Sequence, residues 1–450
     1  MLYKLGKLSY RLRWAIIFTW IILSILSLNF ALKVPEILQS GFGEMNTESR
    51  QALKLLADEL DITESGFTIV FSSSHMTIDD PQYIGEVESV LGHIKKLPAI
   101  TRIDTFYGGG IENMISRDRM TAYATVSMRG TIDEAIQLVP QIETITKSDF
   151  LDIWITGGVP IFSDINNASE NDLRRGEIIA IPLVLVALMF VFRGLVSATI
   201  PVIMGIVSVS CSLAILYIVG QTTGISIFAL NLVSFLGLGI AIDYSLLIVS
   251  RYRREIQTNN YDEAVAVTVK TAGKVIVFSG ITSILGLGSL ILFDLMMLRS
   301  LGIGGILVIF TSLVVSLTLV PAVLSVLGER INTIPVFSRI CLPSKHWMVL
   351  TAQVMRRPIW VAVPIISVLI VLGIPFLNVN LGSPWASMLP TNAPARQGWD
   401  LISQELGPGE LTPVVIAAQF DAHAFSETNS RELLEIVGDL EHHNSVKRVE

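Results

Sequence analysis

Between Ile178 and Val249 the chain carries only two charged side chains, Arg193 and Asp243. Arg193 stands before Gly194 in a short turn between apolar runs, where water reaches it. Asp243 sits inside an apolar run, followed at once by Tyr244. At about 1.5 Å of helical rise per residue, Asp243 is roughly 12 Å from the next charge along the chain, Arg251. That depth is inside the hydrocarbon of a bilayer. An ionised carboxylate there costs roughly 2.5–3.5 kcal/mol on insertion scales, and a medium of low polarity favours the neutral form. A carboxyl group that exchanges a proton as its surroundings change is what proton coupling requires. Tyr244 offers an adjacent hydroxyl, able to donate to the carboxylate or relay through water. Gly237, Gly239 and Ala241 flank the pair, and small side chains let a second helix approach closely. Such a helix would shield Asp243 from lipid.

The elements that must position this pair are membrane spans. Seven apolar stretches, 14–32, 177–192, 196–220, 225–250, 275–293, 300–327 and 359–377, are near the roughly 17–25 residues that cross a bilayer. Of the 450 residues, 51% are hydrophobic and only 16% charged, against about 25% charged in an ordinary soluble domain. A purely soluble protein and a disordered chain are excluded. Two cysteines allow no disulfide framework. The net charge of −7 argues against nucleic acid as a partner.

Lys and Arg set the expected orientation. The short segments at the N-terminus, after span two, at 251–274 and at 328–358 together hold 15 basic and 4 acidic residues. The long segment 33–172 holds 10 basic and 22 acidic residues, and the tail 378–450 holds 4 and 10. A cytoplasmic N-terminus and two large extracytoplasmic segments follow. The first span reads as an uncleaved anchor, because its apolar run exceeds the usual length of a signal peptide core and no small-residue cleavage site follows.

The first long segment has a readable order. A lead-in helix at 49–60 precedes a strand (67–72), a helix (82–97), a strand (101–106), a second strand (121–128), a helix (132–147) and a last strand (152–156). This βαββαβ order predicts a ferredoxin-like sandwich of one sheet under two helices.

The chain also matches itself at an offset of 346 residues. Arg11 falls on Arg357, Trp14 on Trp360, Arg50 and Gln51 on Arg396 and Gln397, and Glu59 and Leu60 on Glu405 and Leu406. We read an internal repeat, whose second copy would run through a helix at 395–406, a strand at 413–419, a helix at 430–442 and a strand at 446–450. The expectation is a truncated or split protein, about 346 residues of a first repeat with an unfinished second. Half of a βαββαβ unit leaves an open sheet edge, so the tail from about Ser383 is expected to be poorly packed.

The predicted architecture is therefore a polytopic α-helical membrane protein with an extracytoplasmic α+β porter domain and an incomplete second one. Its parts are a cytoplasmic N-terminus and span one (1–32), the porter domain (33–176), spans two to six (177–327), a cytoplasmic linker (328–358), span seven (359–377) and the second porter portion (378–450).

Other constellations carry less. His442 and His443 are adjacent and unsupported by other ligands, so no metal site is expected. The triplet Gly108, Gly109 and Gly110 precedes no Lys-Ser or Lys-Thr pair and is not a phosphate loop. No cofactor is implied, and no trio of nucleophile, base and orienting group marks an enzyme. Arg174, Arg175 and Glu177 read as a local salt-bridge cluster. Residues 252–274 read as a basic amphipathic helix along the interface.

The segment FLGLGIAIDYSLLIVSRYR (235–253), with Asp243 and Tyr244 at its centre, resembles the span-four signature of the mycobacterial membrane protein large (MMPL) family. That family belongs to the resistance–nodulation–division (RND) superfamily of proton-driven exporters. One span, a porter domain, five spans and then a repeat of the plan are similar to its topology. Spans two to six also look like a sterol-sensing domain. The resemblance implies export of lipids or other hydrophobic molecules across a bacterial cytoplasmic membrane, driven by protons at Asp243 and Tyr244. It implies a second Asp-Tyr pair in the second repeat, so a missing C-terminal half or a second transporter chain is an expected partner. A lipid-sensing subunit and an accessory protein-translocation motor are the alternatives.

Overall fold

The computed structural model describes residues 1–39, 47–60, 65–107, 112–334, 336, 344–378, 386–407, 409–411, 415–420, 426–443, 446 and 449. The chain forms two compact units, one of Met1–Met45 with Ile161–Ala393 and one of Asn46–Pro160 with Pro394–Glu450. In chain order the elements are α1 (Leu2–Arg11), α2 (Arg13–Ala31), β1 (Leu38–Gln39), α3 (Glu48–Leu60), β2 (Gly66–Ser72), α4 (Pro81–Ile94), β3 (Ile100–Asp104) and β4 (Thr121–Met128). They continue with α5 (Ile132–Ile145), β5 (Asp152–Thr156), α6 (Gly158–Phe192), α7 (Leu195–Gly220), β6 (Ile225–Ser226), α8 (Ile227–Glu255) and α9 (Tyr261–Gly288). The last are α10 (Met296–Leu327), α11 (Ser344–Arg356), α12 (Pro358–Gly373), α13 (Pro394–Glu405) and α14 (Glu427–Glu441).

Among the described residues seven helices are long and apolar enough to cross a membrane: α2, α6, α7, α8, α9, α10 and α12. This is a polytopic membrane protein. Proline lies inside α6, α7, α10 and α12 at Pro182, Pro201, Pro321 and Pro364 without ending them. Neighbouring helices and local adjustments satisfy the freed carbonyls in such spans.

In the membrane-spanning unit, small residues set the helix spacing. A Cβ on Gly304 would stand 2.9 Å from Val233, and one on Gly205 2.7 Å from Leu238. Hydroxyls join α7 to α10: Ser208 Oγ and Ser312 Oγ are 2.8 Å apart, and Ser212 Oγ meets Thr311 Oγ1. A short parallel pair, β1 with β6, ties the chain after α2 to the start of α8 through Leu38↔Ile225. α12 buries none of its residues.

In the other unit the sheet order is β3-β4-β2-β5, with every pairing antiparallel. β2 lies inside the sheet, and Ile69, Val70 and Phe71 have no exposed surface. Full burial of such side chains stabilises by about 1.5–3 kcal/mol each. Tyr83 of α4 is fully buried and donates its hydroxyl to Phe71 O at 2.9 Å. α5 opens with a capping box, in which Thr131 accepts from Glu134 N and Glu134 accepts from Thr131 N. Gly157 takes φ +98° between β5 and α6, a left-handed turn that suits glycine.

Four expectations fail here. Residues 252–274 form no separate interfacial helix: α8 runs through Glu255, α9 starts at Tyr261, and residues 261–274 continue directly into the fifth span. Nothing between Val269 and Val275 breaks the helix, and the buried face of Ala264, Val265 and Val269 holds it in the bundle. The tail is not poorly packed throughout. α13 lies on β5, where Thr156 Oγ1 donates to Ala395 O at 2.6 Å, Trp154 Nε1 donates to Gln397 Oε1 at 3.1 Å, and Ile402 is fully buried. The first sheet thus supplies the packing partner of α13. Arg174, Arg175 and Glu177 make no ion pair among the described residues. Residues 415–420 are not a strand. Gly108 to Gly110, Cys341 and most of 446–450 lie outside the described residues.

Candidate functional site

The site is built on α8. Its N-terminus is capped by Ser226, whose Oγ accepts from Phe228 N at 3.4 Å. Consecutive helical residues point about 100° apart, so Asp243 and Tyr244 face different neighbours. Asp243 is exposed, and the residues one turn away, Gly239 and Leu247, are exposed with it, as is Phe235. A Cβ at Gly239 would meet nothing within 4 Å. Tyr244 is buried, with its hydroxyl 3.5 Å from the position a Cβ would take at Gly280 of α9.

Gly237 and Ala241 lie on the packed side. A Cβ at Gly237 would stand 2.3 Å from Val308 and 3.0 Å from Val209, and Ala241 has no exposed surface. The five residues singled out from the sequence thus divide. Asp243 and Gly239 share the open face of α8; Tyr244, Gly237 and Ala241 face α7, α9 or α10. Among the described residues no hydrogen bond joins Asp243 to Tyr244. The Ser245 and Ser316 hydroxyls, buried on α8 and α10, have no partner among the described residues either.

The basic end of α8 has a role that sequence reasoning missed. Tyr252 is fully buried and donates to Leu324 O, in the last turn of α10, at 3.1 Å. Arg253 donates through Nη1 to Phe192 O, the last carbonyl of α6, at 2.6 Å, and through Nε to Asn332 Oδ1 at 2.8 Å. The last carbonyls of a helix have no partner within it, so α8 satisfies the ends of two other spans. The signal was a Tyr-Arg pair at a span terminus, which the charge count had treated only as positive charge.

α1 joins the same end. Tyr3 Oη donates to Glu263 Oε2 at 2.8 Å, and Lys7 Nζ lies 2.8 Å from Asp262 Oδ2 and 3.0 Å from Glu263 Oε2. The two carboxylates, Asp262 foremost, hold the Lys7 ammonium above its usual range. At Gly6 the helices nearly touch, since a Cβ there would stand 2.7 Å from Ala266 Cα. Among the described residues no three His, Cys, Asp or Glu side chains are placed to hold a metal ion.

The geometry is that of a helix bundle carrying a carboxyl group on one open span face. The MMPL family model matches residues 43–361 of this chain. The chain is 28% identical over 465 residues to the trehalose monomycolate exporter MmpL3 of Mycobacterium tuberculosis H37Rv, covering 93% of this chain and 48% of that protein. It is 26% identical over 435 residues to the mycolic acid-containing lipids exporter MmpL11 of Mycolicibacterium smegmatis, covering 93% and 45%. It is 26% identical over 454 residues to the membrane protein YdfJ of Bacillus subtilis, covering 98% and 60%. The chain spans about half the length of the curated relatives it matches. A family model that covers most of the chain, on a bundle of span-length helices, makes this protein a member of the MMPL family of the RND superfamily.

Proposed function

We propose that this chain is the first-repeat portion of a proton-driven exporter of lipids or other hydrophobic molecules in a bacterial cytoplasmic membrane, with its N-terminus cytoplasmic. The observation that carries this reading is Asp243, a mid-span carboxylate on the open face of α8. Facing hydrocarbon, it would cost roughly 2.5–3.5 kcal/mol when ionised. A facing helix and a proton both relieve that cost, and the competition between them is a coupling device. The names of the relatives, exporters of trehalose monomycolate and of mycolic acid-containing lipids, support a lipid substrate.

In this reading Asp243 is the proton site and Tyr244 a buried hydroxyl on the neighbouring face, able to relay a proton to the carboxylate through water. Gly237 and Ala241 fix α8 against the bundle, and Gly239 keeps the open face flat for a partner helix. The division into 1–32, 33–176, 177–327, 328–358, 359–377 and 378–450 belongs to this proposal, with 33–176 a ferredoxin-like porter domain. Further spans, from the rest of a longer chain or from a second transporter chain, cover Asp243 and the bare α12. The protein performs no enzymatic step in this reading.

The test is Asp243→Asn in the full-length protein, reconstituted in liposomes with an imposed pH gradient. Loss of proton-dependent lipid export with an unchanged melting temperature is expected. Export that persists and still follows the gradient would overturn the mechanism. Lipid binding without any dissipation of the gradient by the unmutated protein would favour the sensing subunit.

A further inference from the structure

A cavity of about 300 Å3 lies among α2, α7 and α10, away from Asp243, with Trp20, Ser27, Cys211, Ala214, Phe310 and Val314 in its wall. It is about twice the size of the roughly 150 Å3 apolar cavity that stays dry and takes up benzene. We propose that it holds one acyl chain of a bilayer phospholipid, entering sideways from the membrane. This site is independent of the export reading.

The polar atoms at the wall are already engaged. Trp20 Nε1 donates to Thr318 Oγ1 at 3.1 Å, Ser27 Oγ donates to Ser24 O at 2.9 Å, and Thr311 Oγ1 donates to Leu307 O at 3.0 Å. No donor is left for a headgroup, and a water molecule needs two to four polar partners. A void costs more as its volume grows, because its lining loses contacts that nothing replaces. A helix about 10 Å across does not fit such a space. A single flexible hydrocarbon chain satisfies all of these conditions.

The mouth faces the right solvent for this occupant. Leu26, Phe30 and Phe310 at the rim are 53%, 41% and 54% exposed on span helices, where the surroundings are lipid tails. The inner wall is different: Cys211 is 9% and Ala214 7% exposed. Lipid packed around the outside of the bundle reaches the rim but not these two residues. A chain inside the cavity touches both.

The test uses the full-length protein in nanodiscs of phosphatidylcholine with a diazirine at mid-chain, irradiated and mapped by peptide mass spectrometry. Adducts are expected on Cys211 and Ala214, at least several-fold above those on Leu230 and Ile242, which are 8% and 7% exposed and lie outside this cavity's wall. Ala214→Phe, from α7, and Val314→Phe, from α10, fill the space independently; each should abolish the Cys211 adduct while Phe278, which is 76% exposed, is labelled as before. Unlabelled Cys211 and Ala214 beside a labelled Phe278 would overturn the proposal, and is the result for a dry cavity or one filled by side chains of another helix. A Cys211 adduct that survives both substitutions would overturn it too.

Discussion

The Arg253 guanidinium donates to the carbonyl oxygen of Phe192 across 2.6 Å, joining the basic end of the Asp243-bearing helix to the last residue of α6. The same side chain stacks on the Phe192 ring, 5.8 Å from its centroid, and holds Asn332. One half-buried cation therefore fixes α6, α8 and the turn after α10.

Removing that cation has a stated consequence. Arg253→Ala leaves the Phe192 carbonyl without its donor and should cost about 1–2 kcal/mol, the lower part of the range for hydrogen bonds to charged groups because the site is partly solvated. Arg253→Lys should recover only part of the loss, since a point charge cannot bridge two acceptors as a guanidinium does. Thermal unfolding in detergent measures both.

The two glycines on α8 should behave in opposite ways. Gly237→Ala drives a methyl into Val308 and Val209 and should destabilise by about 1–3 kcal/mol. Gly239→Ala meets nothing within 4 Å and should raise the melting temperature slightly, by the helix preference of Ala over Gly. If the Asp243 face receives a partner helix, Gly239→Ala will still reduce export in the full-length protein, a separation that comparing melting curves with transport rates will reveal.

The docking of α13 rests on close approach at one position. A Cβ at Gly398 would stand 2.9 Å from Trp154 Cβ and 3.3 Å from Thr156 Cβ. Gly398→Val should lift the helix from β5, break the Thr156–Ala395 and Trp154–Gln397 hydrogen bonds, and expose Ile402. Faster amide exchange across β5 and quicker proteolysis after residue 394 are the expected readouts; unchanged exchange would count against the packing.

The sheet unit should loosen in acid. The Arg119 guanidinium holds Asp79 below its usual range, and hydrogen bonds from Ser116 Oγ and Met120 N do the same for Asp118. Carboxylates depressed in the folded state bind protons more readily once unfolded, so their stabilisation is full above roughly pH 4, the unfolded value, and is lost as pH falls through the folded values. Amide exchange around 77–80 and 116–121 should rise below that pH. Asp79→Asn and Asp118→Asn should show a smaller rise.

Much of the fold was legible because its signals are local. Seven apolar runs mark seven spans, since a bilayer demands a minimum length, and β4 and β5 fall on the stretches 121–128 and 152–156. Asp243 was visible as the lone mid-span carboxylate without any knowledge of its neighbours. What the sequence could not set is which side chains meet. Adjacency of Asp243 and Tyr244 suggested a pair, yet the helical turn of about 100° sends one to the open face and the other towards Gly280. The destination of α13 was hidden because its partners, Trp154 and Thr156, are more than two hundred residues away. Tyr252 and Arg253 looked like part of a basic interfacial segment until the ends of α6 and α10 came within reach of them. Chain-local chemistry determined the spans, the strands of the first sheet and the mid-span carboxylate. Only tertiary packing decided the face each one presents, because the phase and partner of a helix are properties of the bundle and not of its own residues.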